Sequence, residues 1–347
     1  MSNPYETQAD RSFWRTAVAT RNALDINELW TPRFNIETSQ RVITFGSCFA
    51  QHIGRALAQN GFNWWDGEVA PARFPDNVKR EFSYGVFSAR TGNIYTAAML
   101  RQWVEWAFED TAAPDEFWQS DKGWIDPFRP DIEPGGFESE EEARRSRQVT
   151  LDALRRVFSK ADVLVFTMGL TEGWKNLETG VAYPMCPGTV AGTFDPASHG
   201  FVNYRFGEIY QDMRQAIRRI RSANSRLRVL LTVSPVPLTA TASDQHVVVA
   251  TSHSKSVLRA VAGELTEQIN NVDYFPSYEI ITAFPFRGMF FEPNLRSVNA
   301  HGVAHVMKQF FSSLSVPMER LPTGGHGRAQ SDVVCEEEML DAFGRKS

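Results

Sequence analysis

Three short apolar runs govern what this chain can fold into: Val42-Ile-Thr-Phe45, Ala161-Asp-Val-Leu-Val-Phe-Thr-Met168 and Leu227-Arg-Val-Leu-Leu-Thr-Val233. Each is rich in β-branched or large apolar residues and stops at Gly46, Gly169 or Ser234, the pattern of a strand buried on both faces. Helical spacing of apolar residues recurs over about 96–108, 138–158, 208–222, 253–270 and 299–314. The pattern also predicts a second strand at 61–66 and a last one at 272–275. Strands alternating with helices through right-handed crossovers predict an α/β fold with a mostly parallel sheet covered on both faces. In such a sheet the site lies beyond the carboxyl ends of the strands. That rule draws three loops together: 46–50, 169–174 and 234–238.

The first of these loops carries the chemistry. After Gly46, residues Ala50, Ile53, Gly54 and Leu57 fall at helical spacing, so a helix is expected from about Ser47 or Cys48. A strand that turns sharply into a helix points free N–H groups and a positive dipole end at the turn. Ser47 and Cys48, both capable nucleophiles, stand there. A helix N-terminus lowers a thiol pKa and favours an oxyanion. The plainer alternative makes Ser47 an N-cap and Cys48 a small buried hydrophobe. His52 reads as a residue of the first helix.

Composition removes several function classes. The chain has 347 residues, 42% hydrophobic and 22% charged, which suits an ordinary globular protein with ample core. A net charge of −5 without any Lys/Arg block gives no electrostatic case for nucleic acid or an anionic membrane. Three cysteines, Cys48, Cys186 and Cys335, are an odd number without metal spacing, so neither a disulfide framework nor a metal site is expected. No phosphate-binding Gly-rich loop is present, and no cofactor is expected. No basic region followed by an apolar run opens the sequence, and no run reaches membrane-spanning length. A cytoplasmic protein without a membrane span is therefore the expectation, with its oligomeric state not legible.

The expected organisation is an N-terminal arm over 1–37, one domain over 38–316, and a polar tail over 317–347. An insertion over about 110–140 is rich in Asp, Glu, Pro and Gly, with a two-stranded excursion around Phe117-Trp118 and Trp124-Ile125. Residues 175–206 read as a long Gly/Pro-rich loop, a length that is usually functional inside a compact domain. Within the tail, Met339-Leu-Asp-Ala-Phe343 is the one stretch apolar enough to dock.

Taken together, Gly46-Ser-Cys-Phe-Ala50, Gly92-Asn-Ile-Tyr95, Gly169-Leu-Thr-Glu172, Pro187-Gly188, Ser234-Pro-Val236, Ser254-Lys255 and Phe275-Pro-Ser-Tyr-Glu279 resemble the GSCFA family over about residues 38–314. That family looks like a branch of the SGNH (GDSL-like) esterase and acyltransferase superfamily. The resemblance implies a three-layer α/β/α sandwich around a five-stranded, mostly parallel sheet, with loop insertions. Laid on the superfamily's Gly-Asp-Ser-Leu motif, Gly46–Phe49 puts the nucleophile at Cys48. A register one residue earlier puts it at Ser47. Gly169–Glu172 matches Gly-x-Asn-Asp, with Thr171 in place of the oxyanion-hole asparagine. A helix N-cap pair is the competing role for Thr171 and Glu172. The resemblance adds Asn93 and a backbone N–H from Gly85 or Gly92 to the oxyanion and substrate contacts.

In many members an Asp-x-x-His before the last helix supplies the base. Here those positions hold Asn294 and Ser297, neither of which is a base near neutral pH. His301, four residues on, is the first replacement, and His253 lies on the same sheet edge. His305 falls along the last helix, and His199 and His246 fall in loops. Two functions follow, with a partner-binding or assembly role through the tail as a weaker third. One is an esterase or O-acyltransferase acting on a small acyl ester, such as an acylated carbohydrate, through a covalent acyl-enzyme at Ser47 or Cys48. The other is a catalytically degraded protein that binds a carbohydrate or acyl ligand without turnover.

Overall fold

The computed structural model describes residues 3–314, 333 and 335–344. Short helical turns in the arm lead into β1 (Val42–Gly46), α1 (Ala50–Gln59), α2 (Asp76–Glu81) and α3 (Ala97–Ala107). Then come β2 (Trp118–Ser120), β3 (Gly123–Ile125), α4 (Glu140–Lys160), β4 (Val163–Met168), β5 (Glu172–Asn176), β6 (Ala182–Tyr183) and β7 (His199–Asn203). The chain continues through α5 (Phe206–Ala223), β8 (Arg228–Val233), α6 (Val247–Gln268), β9 (Val272–Tyr274), α7 (Ser277–Thr282) and α8 (Ala300–Ser313). A 3₁₀ helix, Glu336–Phe343, follows Cys335.

The main sheet has the order β1-β4-β8-β9 and is parallel throughout. Ile43, Phe45, Leu164, Phe166, Val229 and Leu231 pack with residues of α3–α6. Their neighbours Val42, Val163, Val165 and Leu230 pack instead with α1, α7, α8 and Trp30 of the arm. Both faces are therefore apolar, which is why these runs do not alternate. The arm is tied down where Trp30 Nε1 donates to Asp273 Oδ2 at 3.2 Å and the indole stacks on Phe310 at 5.6 Å.

Among the described residues the sheet has four strands, not the expected five. The segment at 61–66 meets β1 through one parallel bridge, Val42–Trp64. Trp65 N donates to Val42 O at 2.8 Å, and the chain then leaves the edge. Ser88 takes the next place, donating from its N to Thr44 O at 3.3 Å. Two passing segments thus share the hydrogen-bonding groups that a fifth strand would use.

Residues 175–206 are not a plain loop. They build most of a three-stranded antiparallel sheet, β6-β5-β7, in which Trp174 pairs with Tyr183 and Phe201. Because β5 begins at Glu172, Thr171 and Glu172 precede and open a strand and do not cap a helix. α6 starts at Val247, ahead of the expected 253, because His246 Nδ1 accepts from Val248 N at 3.2 Å and caps it. In the insertion β2 and β3 pair as expected. A buried Asp126 binds it to α4, accepting from Arg129 Nε and Arg147 Nη2, each at 2.8 Å.

Residues 317–332, 334 and 345–347 of the expected tail lie outside the described residues. The described part is docked, with Glu336 3% and Glu337 6% exposed. Among the described residues no helix is long and apolar enough to cross a membrane.

Candidate functional site

The turn after β1 is fixed by glycine. Gly46 has φ +130°, and a Cβ there would lie 2.3 Å from the Thr167 carbonyl oxygen of β4. Ser47 N donates to that same oxygen at 3.0 Å, and α1 begins three residues later, at Ala50. Ser47 is buried, its Oγ has no hydrogen-bond partner among the described residues, and its Cβ fills the space left open by the absent Cβ of Gly169. Cys48 faces the other way. With Phe49, His52, Val236, Arg296 and Ser297 it lines a cavity of about 70 Å³ that opens to solvent.

The loops expected at one edge do meet there. Ile94 N donates to Gly46 O at 2.8 Å, Gly169 N and Leu170 N donate to Tyr95 O at 3.2 and 2.9 Å, and Ser234 N donates to Met168 O at 2.9 Å. Asn93 and Tyr95 are buried and converge on one atom. Asn93 Nδ2 donates to Glu336 Oε2, and Tyr95 OH donates to the same oxygen at 2.8 Å. Gln51 Nε2 donates to Asn93 Oδ1 at 3.5 Å and orients the amide. Gly92, at φ +66°, lies beside that carboxylate: a Cβ there would be 3.5 Å from Glu336 Oε1. Gly85 is exposed, and a Cβ on it would meet nothing within 4 Å. Thr171 is fully buried and its Oγ1 has no partner among the described residues, while its N donates to Ser254 Oγ at 3.0 Å. Glu172 turns away and accepts from Thr241 Oγ1 at 2.9 Å on both oxygens.

The C-terminal segment 335–344 therefore straps across the site. The Cys335 thiol shares a hydrogen bond with the Cys48 thiol. Glu337 accepts from Thr239 N at 2.7 Å and from Arg296 Nη2 at 3.3 Å, and its own N donates to Tyr95 OH at 3.4 Å. Sequence patterning expected Met339–Phe343 to dock, but Met339 and Phe343 are 43% and 65% exposed, and it missed the anchored Glu336 and Glu337, because a Glu336-Glu-Glu338 run resembles a solvated tail. It also passed over Lys255 as a site residue. Lys255 is 1% exposed on α6, and its Nζ donates to Gly169 O at 2.8 Å. Burial pulls its pKa down to about 8, against the pull of Glu337 and Cys48.

The strap reverses the expected electrostatics of the thiol. The hydrogen bond that Cys48 donates to Cys335, burial and the Glu337 carboxylate all push the Cys48 pKa up, and Arg296 opposes them. Tyr95 is pushed up by burial and then by Glu336. Asp131, on the far side of Glu336, is raised to about 6 by burial and by that carboxylate.

The remaining expected residues are scattered. His301 stands exposed on the first turn of α8, and His253 stands exposed on α6. Asn294 and Ser297 form a side-chain turn. Asn294 Oδ1 accepts from the N of Arg296 and of Ser297 at 3.0 and 2.9 Å, and Asn294 Nδ2 donates to Ser297 Oγ at 2.9 Å. That turn carries Arg296 and Ser297 onto the cavity wall. His305 stacks on Phe290 at 5.0 Å in the second core. His52 is the histidine on the cavity wall, packed against Phe49, with its pKa pulled down to about 4 by burial and by Arg55. Among the described residues no histidine hydrogen-bonds to Ser47 Oγ or to Cys48. Among the described residues no group of three or more His, Cys, Asp or Glu is placed to hold a metal ion.

A family model described as the GSCFA family matches residues 41–310, and its span ends before the strap. No curated protein matches the chain.

Proposed function

The chain belongs to the GSCFA family, and we propose that it transfers the acyl group of a small ester, such as an acylated carbohydrate, through a covalent acyl-enzyme on Cys48. One observation carries this proposal: an anionic oxygen, Glu336 Oε2, is held by Asn93 and Tyr95, and Tyr95 itself lies within electrostatic reach of Cys48. The same two donors suit the oxyanion of a tetrahedral intermediate once the strap has lifted. Thr171 Oγ1, buried and unpartnered, is a third donor. The two cores, formed from alternate residues of the same strands, support the SGNH-like three-layer arrangement.

The chemistry runs as follows. The Cys48 thiolate attacks the ester carbonyl carbon, and the carbonyl electron pair moves onto the oxygen held by Asn93 and Tyr95. Collapse expels the alkoxide, which takes a proton, and leaves a thioester. Water or a sugar hydroxyl then attacks that thioester and frees the thiolate. Lys255 and Arg296 supply positive charge near the thiolate. A thiolate needs less help from a base than a serine does, in keeping with Asn294 and Ser297 at the base positions.

Turnover of p-nitrophenyl acetate and of an O-acetylated sugar by wild type, Ser47→Ala and Cys48→Ala tests the proposal. Turnover that survives in Ser47→Ala and vanishes in Cys48→Ala is expected. The second reading, ligand binding without turnover, draws on the missing dyad. It takes over when neither wild type nor Glu336→Gln turns over any ester while an acylated sugar still binds.

A further inference from the structure

The strap delivers a second thiol onto the proposed nucleophile. Cys48 and Cys335 are both free, and both line the same solvent-open cavity. They are joined by a thiol–thiol hydrogen bond. Cys335 is not there by chance contact. The two residues after it are buried and anchored, Glu336 on Asn93 and Tyr95 and Glu337 on Thr239 and Arg296. Cys186, the third cysteine, lies elsewhere, with its Sγ donating to Pro187 O at 3.5 Å. Cys335 also lies beyond the region that the family model matches.

We propose that Cys48 and Cys335 form a reversible dithiol–disulfide site whose oxidised form ties the C-terminal strap across the cavity. The oxidant class is a small disulfide, RS–SR, and Cys335, the more exposed of the two thiols, meets it first. The Cys335 thiolate, facing Arg296, attacks one sulfur and releases RS⁻, leaving a mixed disulfide. Cys48 loses its proton to water and attacks the Cys335 sulfur, expelling the second RS⁻. Two protein thiols are oxidised, and one small disulfide is reduced to two thiols. An excess of small thiol reverses both steps. Oxidation removes the Cys48 nucleophile and fixes Glu336 on the oxyanion donors. That consequence rests on the acyl-transfer proposal, whereas the thiol pairing does not.

The test uses the reduced full chain with glutathione disulfide, followed by alkylation of the remaining thiols and peptide mapping. A Cys48–Cys335 linked peptide is expected, with an intact mass lower by two hydrogens, Cys186 alkylated, and no disulfide-linked dimer. Cys335→Ser is expected to give a glutathione adduct on Cys48 and no link. The proposal is overturned by a link to Cys186, by linkage between chains, or by lasting glutathione adducts on both cysteines. It is also overturned if the folded chain stays reduced while the urea-unfolded chain oxidises. Because the linked peptide is read without any ester, a failure of the acyl-transfer proposal leaves this result intact.

Discussion

The hydroxyl of Tyr95 donates to the carboxylate of Glu336 at 2.8 Å, and so binds the loop beside the proposed nucleophile to the strap that covers it. A hydrogen bond to a charged group contributes ~1.5–3 kcal/mol, roughly a tenfold to hundredfold change in an equilibrium. Tyr95→Phe is therefore expected to open the strap more often by about that factor. The rate at which iodoacetamide modifies Cys48 reads the opening, and an unchanged rate would count against the strap as a cover.

The pH profile of that modification carries a second prediction. Cys48 faces Cys335 and Glu337 of the strap, Arg296 ahead of α8, Lys255 of α6, and Tyr95. The first cause of its raised pKa is the Cys335 hydrogen bond. Cys335→Ala removes that bond, so the profile moves to lower pH, because the thiolate is the reactive form. A profile that stays put or moves upward contradicts the assignment.

The Asp126 cluster sets an acid limit on stability. Burial pushes this carboxyl pKa up, but Arg147 and Arg129 outweigh it and hold the pKa below the ordinary 3.8. A carboxylate depressed in the folded state contributes its stability fully above its unfolded pKa and loses it as pH falls through the folded value. Asp126→Ala leaves two arginines buried without their partner and is expected to cost ~3–5 kcal/mol at neutral pH. The gap from wild type should shrink in acid below 3.8. Urea midpoints on both sides of that pH measure it.

Gly46 and Gly85 both have positive φ but should respond differently. Ala at Gly46 meets the Thr167 carbonyl at 2.3 Å, and backbone cannot move aside as a flexible side chain can. A loss of ~3 kcal/mol or more is expected, from strain plus overpacking. Ala at Gly85 meets open space and carries only the conformational cost, ~1–2 kcal/mol. Equal urea midpoints for the two variants would contradict the packing described for the turn.

The strands β1, β4 and β8 were legible because burial on both faces demands unbroken apolar runs. The meeting of 46–50 with 169–171 followed from their places at strand ends. The edge at 61–66 misled, since Trp64 and its neighbours satisfy β1 with a single bridge. The β5–β7 sheet was hidden by Gly and Pro between its strands, and its pairing depends on aromatic contacts such as Trp174 with Phe201 at 5.7 Å. Glu336 and Glu337 were illegible for a different reason. Their partners Asn93, Tyr95 and Arg296 are remote in sequence, and an acidic run carries no periodicity that marks a buried face.

The most direct measurement is the position of the acyl group after a single turnover. The reduced full chain would be mixed with p-nitrophenyl acetate, quenched in acid, digested and mapped by mass. The account predicts one acetyl group, on the Cys48 thiol, retained in Ser47→Ala and lost in Cys48→Ala. An acetyl group on Ser47, or acetylation confined to surface lysines, would contradict it.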